Sequence, residues 1–442
     1  MVGVTLTVAI IASTLVFLLP PFPGFLVYLA TFLWYPSYLS APLGTIDFTV
    51  HRIIILAFYI KLYMMTTLFG RFKFIWLDKV VIIYFAAQLV AGSITTPSLA
   101  LLLENRAGRM FDIVLPYFAA RLVITDRERY FTFLKAVLLI AAPLAIVGIY
   151  QCFSGNNPFG FMIHHSAWAR GRPAYPSMSR LGLTRANVVF AHPIMFGLFF
   201  AMFSPICAGL LGYVRQNKVL CGVGMFLMAL GLFSCVSSGP ALAILCSIAF
   251  MVFFRYRKSW RLMAISLIIM CGVVEVLSDR HFFEVIDRFT LNSATAWYRS
   301  RLIEVAFFEG GMRGHWIAGF GYNADPGWGP IIDTRSYVDI VNHYILVLVR
   351  FGLIGFVPFV MMNVEAIKRL RLSDTLASQK GDHWLIWCVG ASLFGMYCSF
   401  MSVALFEQIL TLFYVIMAIC GAMPAIVAPP RLSLHGRHNV LD

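Results

Sequence analysis

The fold class that this chain predicts is all-α, a polytopic integral membrane protein of about twelve or thirteen transmembrane helices. Three observations predict it. Of 442 residues, 60% are hydrophobic and 12% charged, with a mean hydropathy of +0.83, whereas soluble domains carry roughly 25% charged residues. Apolar runs of about 20 residues, the length that crosses a bilayer as a helix, recur from end to end. Short basic clusters fall in alternate loops, as orientation in a membrane requires.

The apolar runs place spans at 3–19, 23–40, 50–68, 77–94, 109–124, 130–152, 191–213, 219–236, 239–255, 260–278, 340–364, 383–403 and 405–427. Pro20, Pro21 and Pro23 break the chain between the first two; if one of these is partial, twelve spans remain. The first apolar run has no basic flank and no A-x-A-like site, so no cleavable signal peptide is expected. The spans leave no room for a soluble domain. Residues 1–430 read as one membrane domain and 431–442 as a polar cytoplasmic tail.

The clusters Arg71–Lys73, Arg127–Arg129, Arg215–Lys218, Arg255–Lys258 and Lys368–Arg371 can all be cytoplasmic at once, together with Arg431 and Arg437. The net charge of +14 suits loops that face anionic lipid. It is divided among short loops and forms no patch, so nucleic acid is not an expected partner. The nine cysteines lie in or at the edges of spans without a C-x-x-C pair, which fits apolar packing.

Two loops left outside are long, 153–190 and 279–339, and long ordered loops are more often functional than decorative. The segment 153–191 carries Arg170, Arg172, Arg180 and Arg185 and no Asp or Glu. Arginines on the outer side run against the usual orientation bias, and an anionic substrate would account for them. Loop 279–339 carries Arg280, Arg288, Arg299, Arg301, Arg313 and Arg335 among seven acids besides Asp339; an internally paired, solvated surface is the ordinary reading of such a mixture. Within it, Trp297–Glu304 reads as a helical turn. Arg299 and Arg301, two apart, cannot share one helical face, so one is expected to face the site and the other water or a carboxylate.

At the outer mouth of span 340–364, Asp339 and His343 are four apart, a spacing that puts both on one helical face. A carboxylate there would orient the imidazole as a proton acceptor. Asn342 and Tyr344 flank it. Arg350, two turns deeper in apolar sequence, is a functional candidate because a charge there is costly. His192 opens the span after the acid-free loop. Ser237 and Ser238 form a very short outer turn and serve either as helix caps or as donors to a ligand. Zinc-ligand spacings, D-x-D, G-x-S-x-G and phosphate-cradling glycine loops do not occur.

An ordered set of motifs then resembles a known superfamily. The set is Arg185 to Gly197 (RANVVFAHPIMFG), Ser237 to Pro240 (SSGP), Ser278 to Arg280, Tyr298 to Arg301, Gly319-Phe-Gly321, and Asp339 to Tyr344 (DIVNHY) followed by Gly352-Leu-Ile-Gly355. It resembles the bacterial O-antigen ligases and the O-antigen and exopolysaccharide polymerases, over about 185–360, with the exopolysaccharide branch nearest in the Phe-Ala-His-Pro-Ile and Ser-Ser-Gly-Pro patches. One departure is that many relatives have Ser-Arg-Gly where this chain has Ser238-Gly239.

The resemblance implies a GT-C-like glycosyltransferase in the bacterial inner membrane with its active site facing the periplasm. The donor would be an undecaprenyl-diphosphate-linked glycan and the acceptor a sugar hydroxyl of another lipid-linked repeat. A chain-length regulator and a flippase of the same pathway are the implied partners, and no metal or other cofactor is implied. By matching motif, Arg185 and Arg301 would bind the diphosphate and His343 would be the catalytic base, with Asp339 supporting it. Arg299 competes with Arg301 for its role, and Arg280 and Arg288 are further diphosphate candidates. His192, Ser238, Asn342, Tyr344 and Arg350 complete the candidate set. Transfer to lipid A core, as by a ligase, is the nearest alternative. A lipid-linked oligosaccharide transporter is the alternative of another class; it would need charges lining a passage and helices broken near the midplane.

Overall fold

The apolar runs do become helices in the computed structural model, which describes residues 1–43, 46–65, 72–96, 98–165, 179–213, 218–277, 293–322, 324–333 and 338–428. In chain order these are α1 (Val2–Leu18), α2 (Pro21–Trp34), α3 (Val50–Met64), α4 (Trp76–Thr95), α5 (Leu99–Arg109), a π-helical turn (Met110–Val114), α6 (Leu115–Val123), α7 (Arg127–Ser154), α8 (Pro193–Ala208), α9 (Lys218–Ser234), α10 (Ser238–Val252), α11 (Trp260–Leu277), α12 (Ser293–Ile303), α13 (Gly329–Asp333), α14 (His343–Leu376), α15 (Lys380–Phe400) and α16 (Glu407–Val427). Their ends carry recognisable signals. Proline stands at the start of α2 and α8, where its missing N–H costs nothing. Asp126 caps α7 by accepting from the Arg129 N–H at 3.0 Å, and Gly155 ends it in the left-handed conformation.

Among the described residues, seven helical segments are long and apolar enough to cross a membrane: Trp76–Thr95, Arg127–Ser154, Pro193–Gly212, Ser238–Ser259, His343–Leu376, Lys380–Phe400 and Glu407–Val427. Shorter apolar helices include α1, α2 and α9. The centre of the bundle is α8 and α16. Every residue of α8 except Ile194 is buried, while α1, α10 and α11 turn Ile10, Leu18, Leu245, Ile268 and Leu277 outward. Apolar surface on that scale fits lipid rather than water.

Three departures from the expected elements bear on function. The span expected over 23–40 ends at Trp34, because Pro36 cannot continue the helix; a hairpin follows, β1 (Ser40–Leu43) against β2 (Ile46–Thr49), with Ser40 opposite Thr49. A second small hairpin pairs Ser179–Arg180 with Leu183–Thr184. The span expected from 109 is the later part of a helical run that starts at Leu99.

The third departure is inside α14. At Gly352 (φ 55°, ψ −158°) its helical geometry is broken. The carbonyl and amides released there are taken by the segment 316–320: the Leu353 N–H donates to the Trp316 carbonyl (2.7 Å), Ile354 N–H to Ile317 (3.1 Å), and Phe320 N–H to Val349 (2.7 Å). Backbone meets backbone at this crossing. A Cβ on Gly319 would lie 2.5 Å from the Val349 oxygen, and one on Gly352 would overlap the Ile317 carbonyl. The two glycine motifs of the sequence are therefore two halves of one joint. Above it, Leu302, Val305, Met312 and Trp328 pack on Ile345, Leu348 and Val349.

The two ends of the bundle differ chemically. At one end the cations are matched by acids: Arg121 with Asp78 (3.1 Å), Arg127 with Asp382 (2.6 Å) and Arg369 with Glu365 (3.6 Å). This is the end whose loops are expected to be cytoplasmic. The opposite end holds His343, Arg350, Arg185 and Glu407.

Candidate functional site

The least expected feature of that end is a group of three arginines around one phenol. Arg106 and Arg109 are three apart on α5 and so share a face; Arg350 comes from α14 two residues before the break; Tyr322 follows the joint-forming segment. The guanidinium carbons lie 4.7 Å (Arg106), 5.3 Å (Arg109) and 4.7 Å (Arg350) from the Tyr322 ring centre. Arg109 Nε donates to the Tyr322 hydroxyl at 3.1 Å, and Arg106 donates to the side-chain oxygens of Gln88 and Asn105. Arg106 is 2% exposed, and its Nε has no hydrogen-bond partner. Among the described residues, no carboxylate forms an ion pair with any of the three. Burial raises the Tyr322 phenol pKa, but the charges of Arg109 and Arg350 override this and hold it below the usual value. Like charges gathered in a partly buried site are costly unless something anionic joins them.

Beside this group opens a cleft of about 500 Å³ lined by Arg109, Tyr322, Phe48, Phe111, Phe406 and Glu407, among others. Its far wall is an ion-paired cluster: Arg52 grips Asp112 through Nε (2.9 Å) and Nη2 (2.7 Å), and His51 Nε2 lies 3.2 Å from the same carboxylate.

His343 is the first residue of α14 and Asn342 is its cap, accepting from the Ile345 N–H at 3.1 Å. Asp339 therefore lies three residues before the cap, outside the helix, and the expectation that it shares a helical face with His343 is overturned. Its backbone N–H and carbonyl bond instead with the Tyr298 hydroxyl (2.9 and 3.0 Å), which ties α12 to the start of α14. The buried His343 ring accepts the Leu405 N–H at Nδ1, 3.2 Å away. A neutral imidazole in that arrangement carries its proton on Nε2. It is then a donor there, and the free acceptor expected of a base is not present. Asn342 Nδ2 donates to the Met401 carbonyl (3.1 Å), and the Tyr344 hydroxyl to that of Tyr397 (3.0 Å).

The acid-free arginine loop forms a second patch. Gln151 of α7 pins it, with its Oε1 accepting from the N–H of Asn187 (3.1 Å) and of Val188 (2.9 Å). Arg185 donates to the Cys235 carbonyl at 3.4 Å, and burial and the charge of Arg180 draw its pKa down. Val188 (φ 52°) and Val236 (φ 42°) flank it in the left-handed region, a strained state for β-branched residues that is common at functional sites. Ser237 holds the cap position of α10 without a side-chain cap bond, and Ser238 begins the helix. A Cβ on Gly239 would sit 2.6 Å from Val403 Cγ2. Residues 401–406 thus touch both patches, Val403 at Gly239 and Leu405 at His343.

His192 caps α8, its Nδ1 accepting from the Ile194 N–H at 3.1 Å. Burial, and next the Arg185 charge, push its pKa down to about 4. Unfolded histidine titrates near pH 6.5, so the unfolded chain binds the proton first. The stability that neutral His192 contributes is complete above about pH 6.5 and lost as the pH falls towards 4, by roughly 3 kcal/mol in total. His192→Asn, which keeps a capping acceptor, is expected to flatten this part of the profile when melting temperature in detergent is followed from neutral to acid pH.

Other candidates separate from the site. Arg301 is bound to Glu304 (2.8 Å) and Glu309 (2.5 Å), so its guanidinium is already matched. Arg299, on the same helix, is buried. Arg280 and Arg288 lie outside the described residues, as do Arg170 and Arg172. The sequence reading missed Arg106, Arg109, Tyr322 and Glu407. The chain matches no protein-family model and no curated protein, which leaves the chemistry at this end of the bundle to carry the functional reading.

Proposed function

We propose that this chain is a membrane glycosyltransferase. It takes a glycan from a polyprenyl-diphosphate donor and joins it to a sugar hydroxyl of another lipid-linked repeat, at the outer face of the bacterial inner membrane. The observation that carries the reading is the group Arg106, Arg109 and Arg350, three guanidiniums with no ion-paired acid among the described residues. The leaving group in such a transfer is a lipid diphosphate, on which charge builds as the sugar–oxygen bond breaks. Guanidinium forks match those oxygens and stay charged. Donors already in place cost no reorganisation when the charge develops. The exposed apolar flanks of the helices suit the polyprenyl chain. The donor's diphosphate is assigned to the Arg350 group rather than to Arg185. Direct displacement with inversion follows, and isolation of a covalent glycosyl-enzyme would rule it out. Transfer to another repeat, as by a polymerase, rather than to lipid A core rests on the exopolysaccharide-like motifs.

One observation favours a second reading, a lipid-linked oligosaccharide transporter. The break at Gly352 lies nine residues into α14, about 14 Å along a helix and hence close to mid-bilayer. The gene deletion separates the two. A lost polymerase leaves single lipid-linked repeats accessible at the outer face, with lipid A core normally capped. A lost transporter leaves them on the cytoplasmic face, shielded from an outer-face glycan probe. Uncapped core with intact polymer would instead identify a ligase.

A further inference from the structure

We propose that the cleft beside the arginine group is the acceptor-sugar site and that Glu407, rather than His343, takes the proton from the attacking hydroxyl. This rests on the glycosyl-transfer reading above. The cleft has the makings of a saccharide site: aromatic faces from Phe48, Phe111 and Phe406 for the apolar side of a sugar ring, and a few polar groups to fix its hydroxyls. Arg109 lines the same cleft and its charge acts on Glu407, so an acceptor held there lies next to the diphosphate.

Three features single out Glu407. One carboxylate oxygen accepts from the Ser37 hydroxyl at 2.8 Å, and the other has no hydrogen bond among the described residues. The orienting contact thus leaves a lone pair available, as a general base needs. His343 has no such lone pair, because its Nδ1 is taken by the Leu405 N–H. Glu407 also stands at φ 47°, the left-handed region, as the first residue of α16. An acid that merely complements a helix start needs no such backbone, and strain of this kind persists where it aims a side chain.

In the step, the acceptor oxygen bonds to the anomeric carbon and its proton passes to the Glu407 carboxylate. The bond from that carbon to the diphosphate oxygen breaks, and the electron pair leaves with the polyprenyl diphosphate.

The test uses the full-length chain in the deletion strain at matched membrane levels, with secreted polysaccharide and melting temperature of the purified protein as readouts. Glu407→Gln, of equal size, is expected to reduce polymer at least 100-fold, and Glu407→Asp to retain a measurable fraction. Glu407→Gly releases the backbone strain, so it should make no polymer yet melt at or above wild type. Near-normal polymer from Glu407→Gln, with Arg350→Ala inactive, overturns the assignment of Glu407 and leaves the transferase reading standing. Normal polymer from both removes that reading, and Glu407 with it. A Glu407→Gly protein that melts well below wild type makes the residue structural and also overturns the proposal.

Discussion

Arg350→Ala is expected to lower polymer formation by roughly 10²–10³-fold, the cost of removing one preorganised donor from a developing oxyanion, while the protein stays in the membrane at its normal level. Stability should move the other way or not at all. In the unliganded protein Arg350 shares the Tyr322 ring with Arg106 and Arg109, and the charge of Arg109 opposes its own. Removing it relieves repulsion and the cost of a charge in apolar surroundings. Loss of activity with equal or higher melting temperature marks a residue kept for its ligand. Arg301→Ala gives the contrast. Its guanidinium is exposed enough and well enough paired with Glu304 and Glu309 that about 1 kcal/mol or less is at stake, and polymer is expected to fall less than tenfold. Both variants are read by complementation of the deletion strain, with polysaccharide quantified against membrane protein. Equal, severe losses in the two would return the diphosphate to Arg301.

Much of this arrangement was legible in the sequence, and what was missed has identifiable causes. Hydropathy finds helices because apolar runs have no other way to satisfy their backbone in lipid: each expected span contains a helix, though among the described residues seven are long and apolar enough to cross a membrane and the span expected over 23–40 stops at Trp34. Arg350 stands out for the same reason, a charge where charge is costly. Arg106 and Arg109 do not, because the apolar run of that span begins only at 109. Leu99–Arg109 is amphipathic rather than apolar, so hydropathy passes over it; the spacing of Arg106, Arg109 and Asp112 was the available signal. Asp339 failed for the opposite reason. Spacing by four has meaning only inside a helix, and Asn342 is the cap that starts it. Glu407 gave no local signal at all. It becomes interesting only when the starts of α3 and α16 and the end of α5 meet around one cleft, and hydropathy does not say which helices are neighbours.

The joint between Gly319 and Gly352 is where sequence and site are most tightly linked, and Gly352→Ala is expected to damage both. The residue is held at φ 55°, which costs a side chain roughly 1–2 kcal/mol. Its new Cβ would also overlap the Ile317 carbonyl, and overpacking of that kind adds roughly 1–3 kcal/mol. The collision is backbone against methyl, so no rotamer relieves it. The segment 316–320 would have to withdraw, releasing the bonds from Leu353, Ile354 and Phe320 and with them Tyr322, two residues further on. The three arginines would lose their common partner. A lower melting temperature together with at least tenfold less polymer is therefore the expected result, measured on detergent-purified protein and in the complemented strain. Gly272→Ala is the matched control. Gly272 lies inside α11, where an added Cβ meets nothing within 4 Å, and alanine there should be neutral or stabilising by up to about 1 kcal/mol. If both substitutions leave melting and polymer unchanged, α14 is not held by this crossing, and the position of Tyr322 among the arginines needs another support.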